Sequence, residues 1–314
     1  MYLFRSYNVK RTEGGGGLPY KTIMPYLPES TSQAVSPLLK SDPAIEEIRL
    51  RTGQKIELSG PKPYVLSTIF SEYERAAFVH KITKHSIYRL EEQLKRGYLT
   101  IEGGHRIGIA GQAVMREGAV SSMTNLSFFN IRIAKEKKGA ALPLLPSLFQ
   151  SGWKSALLIG PPRSGKTTLL RDIARIAGTG DEKRRIPPMK TCIVDERSEI
   201  AGCLHGVPQL DVGTRTDVLD ACPKSEGMMM MIRSMSPDVL IVDEIGREED
   251  AQALSEALNA GIAVIATVHA HSLKEALRRP VIRHIKESGL FDTYIEVSRE
   301  HHVTILKRES QVVG

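Results

Sequence analysis

The stretch from 158 to 170, LIGPPRSGKTTLL, constrains this chain more than any other. Gly160, four intervening residues and then Gly165-Lys166-Thr167 fit the G-x-x-x-x-G-K-[ST] phosphate-binding pattern. A short apolar run at 156–159 precedes it, and residues 167–177 carry helical spacing. The expected geometry is strand, glycine-rich loop, helix N-terminus, with backbone N–H groups and the positive end of the helix dipole facing an anion. The expected binding set is Gly160, Pro161, Pro162, Arg163, Ser164, Gly165, Lys166, Thr167 and Thr168. Lys166 supplies a charge at the β/γ-phosphates and Thr167 a hydroxyl for Mg²⁺; the Thr168 side chain is read as packing.

A matching acidic strand follows. Residues 238–244 read DVLIVDE, four apolar residues and then two acids. Such a run suits a central parallel strand buried on both faces. Its acids then emerge at the carboxyl end, where open α/β sheets bind ligands. Asp243 is expected to serve Mg²⁺, directly or through water, and Glu244 to orient or deprotonate an attacking water.

The chain has 314 residues, which allows about two domains. No stretch approaches the roughly 18 uninterrupted apolar residues that span a bilayer, and the start carries no secretory signal pattern. Three cysteines (Cys192, Cys203, Cys222) lack zinc spacing and cannot all pair, which points to a reducing, cytoplasmic compartment. The net charge of +7 permits nucleic acid or an anionic membrane as partner. The basic residues are scattered, however, apart from Lys183-Arg184-Arg185 and the segment 135–138, so we do not expect direct nucleic-acid binding.

Residues 1–22, with their glycine run at 14–17, read as a flexible tail. Residues 23–138 read as an α+β domain. It has a helix at 32–40, strands at 47–50 and 55–58, helical spacing over 72–95, short strands at 98–101, 106–110 and 113–116 separated by glycine turns, and a last strand at 131–134. Residues 139–314 alternate strand and helix, the pattern of a RecA-like P-loop domain with a doubly wound sheet. Strands are expected at 156–159, 191–194, 239–242 and 263–267, helices at 167–177, 224–234, 249–259 and 273–287, and an edge hairpin at 294–297 and 303–306.

Two further polar clusters end predicted parallel strands. One is Asp195-Glu196-Arg197-Ser198-Glu199; the other is Thr267-Val268-His269-Ala270-His271. Both face the same crevice if the strands are parallel. His269 is placed to touch a γ-phosphate and sense its loss, or is a hydrogen-bonded loop residue with no part in chemistry.

The order of these motifs resembles the secretion ATPases of type II and type IV systems, which carry a phosphate loop, an acidic "Asp box", a modified acidic strand and a "His box". The match is closer still to the stage III sporulation AA family of endospore-forming bacteria. It rests on VDERSEIAGCLHGVPQ and DVGTRTDVLDACPKSEGMMMMIRSMSPDVLIVDEIGREED, with GHRIGIAG and FNIRIAKE, and covers roughly 23–310. The resemblance implies a cytoplasmic, Mg²⁺-dependent ATPase of the mother cell. It would form homo-hexameric rings and sit peripherally at the membrane facing the forespore, through membrane proteins of the sporulation channel complex. Secretion ATPases usually have Gly-Glu where this chain has Asp243-Glu244, which leaves open the acid that serves water. Glu244 competes with the Asp box, where Glu196 is the first candidate and Glu199 the second. By the same resemblance, Arg106 and Arg132 of the N-terminal domain are expected to stabilise transition-state charge. A nucleic-acid motor on the same fold, or a nucleotide-dependent scaffold, are the alternatives.

Overall fold

The computed structural model describes residues 4–8, 19–83 and 97–307. Two compact units emerge, Gly15–Lys135, and Met1–Gly14 together with Glu136–Gly314.

The first unit contains α1 (Glu29–Ser41), α2 (Glu72–Thr83) and strands β2 (Glu47–Arg51), β3 (Lys55–Ser59), β4 (Tyr64–Ile69), β5 (Tyr98–Ile101), β6 (His105–Arg116) and β7 (Ala119–Arg132). The strands form an antiparallel sheet in the order β4-β3-β2-β7-β6-β5. Period-two alternation separates its faces. Ile48, Leu50, Ile107, Phe129 and Ile131 are buried in one cluster with Val35 and Leu39 of α1 and Phe78 of α2. Phe70, Phe78 and Phe129 meet edge to face there, with centroids 4.9–6.2 Å apart. The alternate residues Glu47, Arg49, Arg106 and Arg132 share the opposite face. A reciprocal cap starts α2: the Glu74 N–H donates to Ser71 Oγ (3.3 Å) and the Ser71 N–H to Glu74 Oε2 (3.1 Å).

Here the structure departs from the sequence reading in three ways. The short strands expected at 106–110 and 113–116 are one strand, and its partner begins at Ala119 rather than at 131. Gly111 lies within the strand instead of turning the chain. A Cβ there would meet Thr124 O at 2.6 Å and Asn125 O at 2.8 Å, so the glycine serves close backbone approach at a register shift between Ala110 and Gln112. Strand β4, with a residue pattern interrupted by Ser67 and Thr68, carried no strong signal. The helical reading over 72–95 is met by α2 as far as Thr83; residues 84–96 lie outside the described residues.

The second unit holds β1 (Phe4–Asn8), α3 (Leu145–Leu148), β8 (Ala156–Gly160), α4 (Lys166–Thr179), β9 (Thr191–Asp195), β10 (Thr216–Asp220), α5 (Lys224–Met235), β11 (Val239–Val242), α6 (Glu248–Asn259), β12 (Ala263–His269), α7 (Leu273–Ala276), α8 (Pro280–Glu287), β13 (Thr293–Val297) and β14 (His302–Lys307). Its sheet runs β1-β14-β13-β8-β12-β11-β9-β10, parallel from β13 to β10 and antiparallel at β14 and β1. Alternate residues of the parallel strands are buried on opposite faces, as continuous apolar runs require. Leu158, Ile193, Ile241 and Ile265 pack with Leu170 and Ile173 of α4. Leu157, Ile159, Leu240, Val242 and Val264 pack with Met228 and Met231 of α5 and Leu254 of α6.

Three expectations shift. Phe4–Asn8, read as tail, pairs antiparallel with β14 and covers what would otherwise be an open sheet edge. Residues 216–220 add an unforeseen edge strand beside β9. The helix expected over 273–287 breaks into α7 and α8, because Pro280 cannot donate the interior helix bond and instead occupies the first turn of a new helix.

Candidate active site

The site is built at the carboxyl end of the parallel sheet. Gly160 ends β8, the loop turns through Arg163 (φ 65°) and Gly165 (φ 95°), and α4 begins at Lys166. Gly165 occupies the left-handed region that glycine tolerates without a Cβ penalty. Gly160 is required by crowding: a Cβ would stand 2.5 Å from Ser164 Oγ and 2.6 Å from Val297 O. Lys166 is buried, and its Nζ donates to Gly160 O (2.7 Å) and Pro161 O (2.9 Å). Burial pushes the Lys166 ammonium below its usual range, opposed by the carboxylates of Asp243 and Glu244. Pro161 and Ser164 are buried, Pro162 and Arg163 exposed, and Thr167 and Thr168 half-buried. The Ser164 hydroxyl is buried without a hydrogen-bond partner, an orphan polar group inside the loop.

Strand β12 lies between β8 and β11, with His269 opposite Gly160 and Ala266 opposite Val242. This register sets Thr267 and His269 between the phosphate loop and the acids. The Thr267 hydroxyl is fully buried; it donates to Asp243 Oδ1 and accepts the Glu244 N–H (2.8 Å). Glu244 itself sits at φ 51°, a left-handed conformation uncommon for a side chain of this type, and the Thr267 bond holds it there. His269 accepts from Lys166 Nζ at Nδ1 (3.0 Å) and faces Glu244 Oε1 with Nε2 (3.7 Å). The lysine contact requires a lone pair on Nδ1, so the ring proton belongs on Nε2, toward the carboxylate. Lys166, His269, Glu244, Asp243 and Thr267 therefore form one connected polar chain in front of the loop.

Strand β9 flanks β11, with Val194 opposite Val242, so the Asp box begins level with Asp243. Asp195 is buried and its carboxylate accepts the N–H groups of Glu199, Ile200 and Ala201 at 2.8–3.0 Å. Burial pushes Asp195 up to about 6, against those backbone donors. Arg171 of α4 reaches the same loop, donating to Glu199 O (2.7 Å) and Ile200 O. Asp195 is thus the mount of the loop. Glu196 pairs with Lys224 at the start of α5, and Glu199 is half-buried with its backbone bound by Asp195 and Arg171. Arg197 pairs with Glu244 Oε2 through Nη1 at 3.0 Å.

The structure brings Lys166, Asp243, Glu244 and His269 together. It holds Glu196 on Lys224, and it carries Arg106 and Arg132 in the other unit. There the two arginines are direct cross-strand partners on β6 and β7. Like charges so placed repel. Arg106 lies over the Tyr98 ring at 3.4 Å, and Arg132 faces Glu47 at 3.5 Å. Sequence reasoning missed the hydroxyl of Thr267, Arg171 and Arg197. The visible signal for the last was an arginine inside an otherwise acidic run; for Arg171 it was a cation on the helix that follows the loop.

The residues present fit Mg²⁺ and a nucleotide polyphosphate. Among the described residues no group of three or more His, Cys, Asp or Glu is set to hold a metal. Mg²⁺ in nucleotide sites needs only one or two protein ligands beside phosphate and water, a number that one hydroxyl and one carboxylate would meet.

A family model described as "Sporulation stage III, protein AA" matches residues 35–307. Stage III sporulation protein AA of Bacillus subtilis (strain 168) is 50% identical over 279 residues, covering 88% of this chain and 90% of that relative. Among solved structures, the Legionella pneumophila ATPase DotB matches with TM-score 0.63 at 16% identity, over 91% of this chain and 82% of its own. The pilus retraction motor PilT with bound ADP matches with TM-score 0.55 at 13% identity, over 85% and 76%. The fold is that of these P-loop ATPases.

Proposed function

The chain belongs to the Sporulation stage III, protein AA family, and we propose that it hydrolyses ATP with Mg²⁺. The observation that carries this reading is the chain Lys166–His269–Glu244 lying directly in front of a phosphate loop whose backbone is shaped for an anion. Thr167 and Asp243 would hold the Mg²⁺, which supplies charge neutralisation at the phosphate oxygens when bound. Lys166 exchanges its carbonyl partners for the β/γ-phosphates. Glu244 orients the water and takes its proton, and His269, touching both Lys166 and Glu244, reports the γ-phosphate to the pair. Glu196 serves the crevice at second hand, since Lys224 occupies its carboxylate, and Glu199 stands behind Glu244 for the water role.

The working unit in this proposal is a homo-hexameric ring. Arg106 and Arg132 complete the site of a neighbouring subunit, and hydrolysis drives or assembles the channel complex between mother cell and forespore. Family membership and the secretion-ATPase fold support this reading. So does the side chain of Arg132, 57% exposed on the open sheet face. No helix among the described residues is long and apolar enough to cross a membrane, so membrane proteins of the channel complex would supply the attachment.

The test is a paired substitution. Lys166→Ala should abolish hydrolysis and weaken nucleotide binding. Glu244→Gln should still bind ATP while turnover falls by about 10²–10⁴. Near-normal turnover in Lys166→Ala would overturn the reading. Full activity in Glu244→Gln together with its loss in Glu196→Gln would move the water role to the Asp box.

A further inference from the structure

The Asp box contributes a cation to the site as well as acids. Residues 195–201 are held from several sides. The Asp195 carboxylate binds three backbone N–H groups, and Ala221 N–H donates to Asp195 O at 2.9 Å. Ser198 Oγ donates to Asp220 Oδ1 at 2.6 Å, and Arg171 ties the loop to the helix that starts at Lys166. On this fixed mount the Arg197 side chain is 61% exposed, and its Nη1 rests 3.0 Å from Glu244 Oε2. The same carboxylate faces His269 Nε2 at 3.7 Å through its other oxygen, and His269 Nδ1 lies 3.0 Å from Lys166 Nζ. Lys166 and Arg197 thus stand at the two ends of one short polar chain, and the γ-phosphate is expected beside it.

We propose that Arg197 is a phosphoryl ligand supplied by the same subunit: it rests on Glu244 and transfers to the terminal phosphoryl group when ATP is bound. This rests on the reading of the site as an ATPase. The physical reason is competition for one guanidinium. A terminal phosphate offers more charge than one carboxylate and matches the planar fork of arginine. The transfer also frees Glu244. In the step served, the water oxygen bonds to the γ-phosphorus, the bridging P–O bond to the β-phosphate breaks, ADP leaves with the negative charge and Glu244 takes the water proton. Arg197 meets the charge that grows on the equatorial oxygens, the task an arginine performs in cis in some GTP-hydrolysing proteins. Lys166 meets the charge on the leaving side.

The experiment measures binding as well as rate. Purified full-length protein and its Arg197→Ala variant are titrated with Mg-ADP, and with Mg-ADP plus aluminium fluoride as a transition-state mimic. The titrations are repeated in a Glu244→Gln background. We expect Arg197→Ala to keep ADP affinity within about threefold, to weaken the aluminium fluoride complex at least about tenfold in both backgrounds, and to cut turnover about a hundredfold or more. A loss confined to the wild-type background would make Arg197 a positioning residue for Glu244 only, and would overturn the proposal. Equal loss of ADP and mimic binding would overturn it too, by showing a damaged loop. Wild-type protein that binds neither ligand would remove the ATPase reading itself, an outcome distinct from both.

Discussion

Thr267 lets the geometry of the acids be tested apart from their charge. Its hydroxyl is fully buried, donates to Asp243 Oδ1 and accepts the Glu244 N–H. Thr267→Val keeps the volume and removes both bonds. A bond to a charged oxygen contributes roughly 1.5–3 kcal/mol and a neutral one about 0.5–1.5 kcal/mol, so the loss should be about 2–4 kcal/mol. Thr267→Ser keeps both bonds and removes one buried methyl, which costs about 1 kcal/mol. Activity should follow the bonds and not the volume. Without its anchor, the strained Glu244 backbone can relax, and a displacement of about 1 Å at a reacting group can cost about 10²-fold in rate. The assay is urea denaturation followed by the single tryptophan, Trp153, which lies in the same unit as Thr267, together with steady-state ATP turnover. Valine should be the less stable and nearly inactive variant; serine should be mildly destabilised and active. A valine variant as stable and active as the parent, or a serine variant worse than valine, would refute the bridging role.

Other outcomes follow from specific contacts. Gly160→Ala forces a Cβ to 2.5–2.6 Å from Ser164 Oγ and Val297 O, so it should abolish nucleotide binding, whereas Gly246→Ala, with nothing within 4 Å, should not; equal binding by the two in a fluorescent-nucleotide titration would contradict the crowding argument. His105 is buried between the Ala134 N–H, which it accepts at Nδ1 (2.9 Å), and Thr22 Oγ1 (2.7 Å), and burial lowers it from 6.5 to about 4. Above pH 6.5 both folded and unfolded states are neutral; as pH falls toward 4 only the unfolded state binds the proton. The first unit should therefore lose about 3 kcal/mol across that window, visible as lower amide-exchange protection factors, with the intrinsic pH dependence of exchange divided out, in residues 15–135 of the whole chain. A His105→Gln variant should lack this pH dependence, and an unchanged profile would count against the buried neutral imidazole. Mixing Arg132→Ala with Lys166→Ala subunits should restore part of the activity, because an intact loop on one subunit meets an intact arginine on the next; no rescue under subunit exchange would return Arg132 to a role beside Glu47 in its own unit.

What the sequence determined by itself was whatever short-range order carries. The phosphate loop is legible because strand, turn and helix start lie within a few residues, and each glycine answers a local demand: Gly165 its positive φ, Gly160 the approach of Ser164. The acidic strand is legible because four apolar residues before two acids state both burial and where burial ends. The break at Pro280 was equally local and was there to be read. The long β6–β7 hairpin was not, since a glycine inside a strand has the same sequence appearance as one in a turn, and only the carbonyls of Thr124 and Asn125 distinguish them. The connections within the site belong to the tertiary structure. Thr267 meets Asp243, Arg197 meets Glu244 and His269 meets Lys166 across 24, 47 and 103 positions of chain, and each meeting depends on strand order and parallel register. A pattern of residue types records which side chains a strand exposes at its end; which neighbouring strand end stands beside it is decided only when the sheet buries both its faces and one order of strands packs.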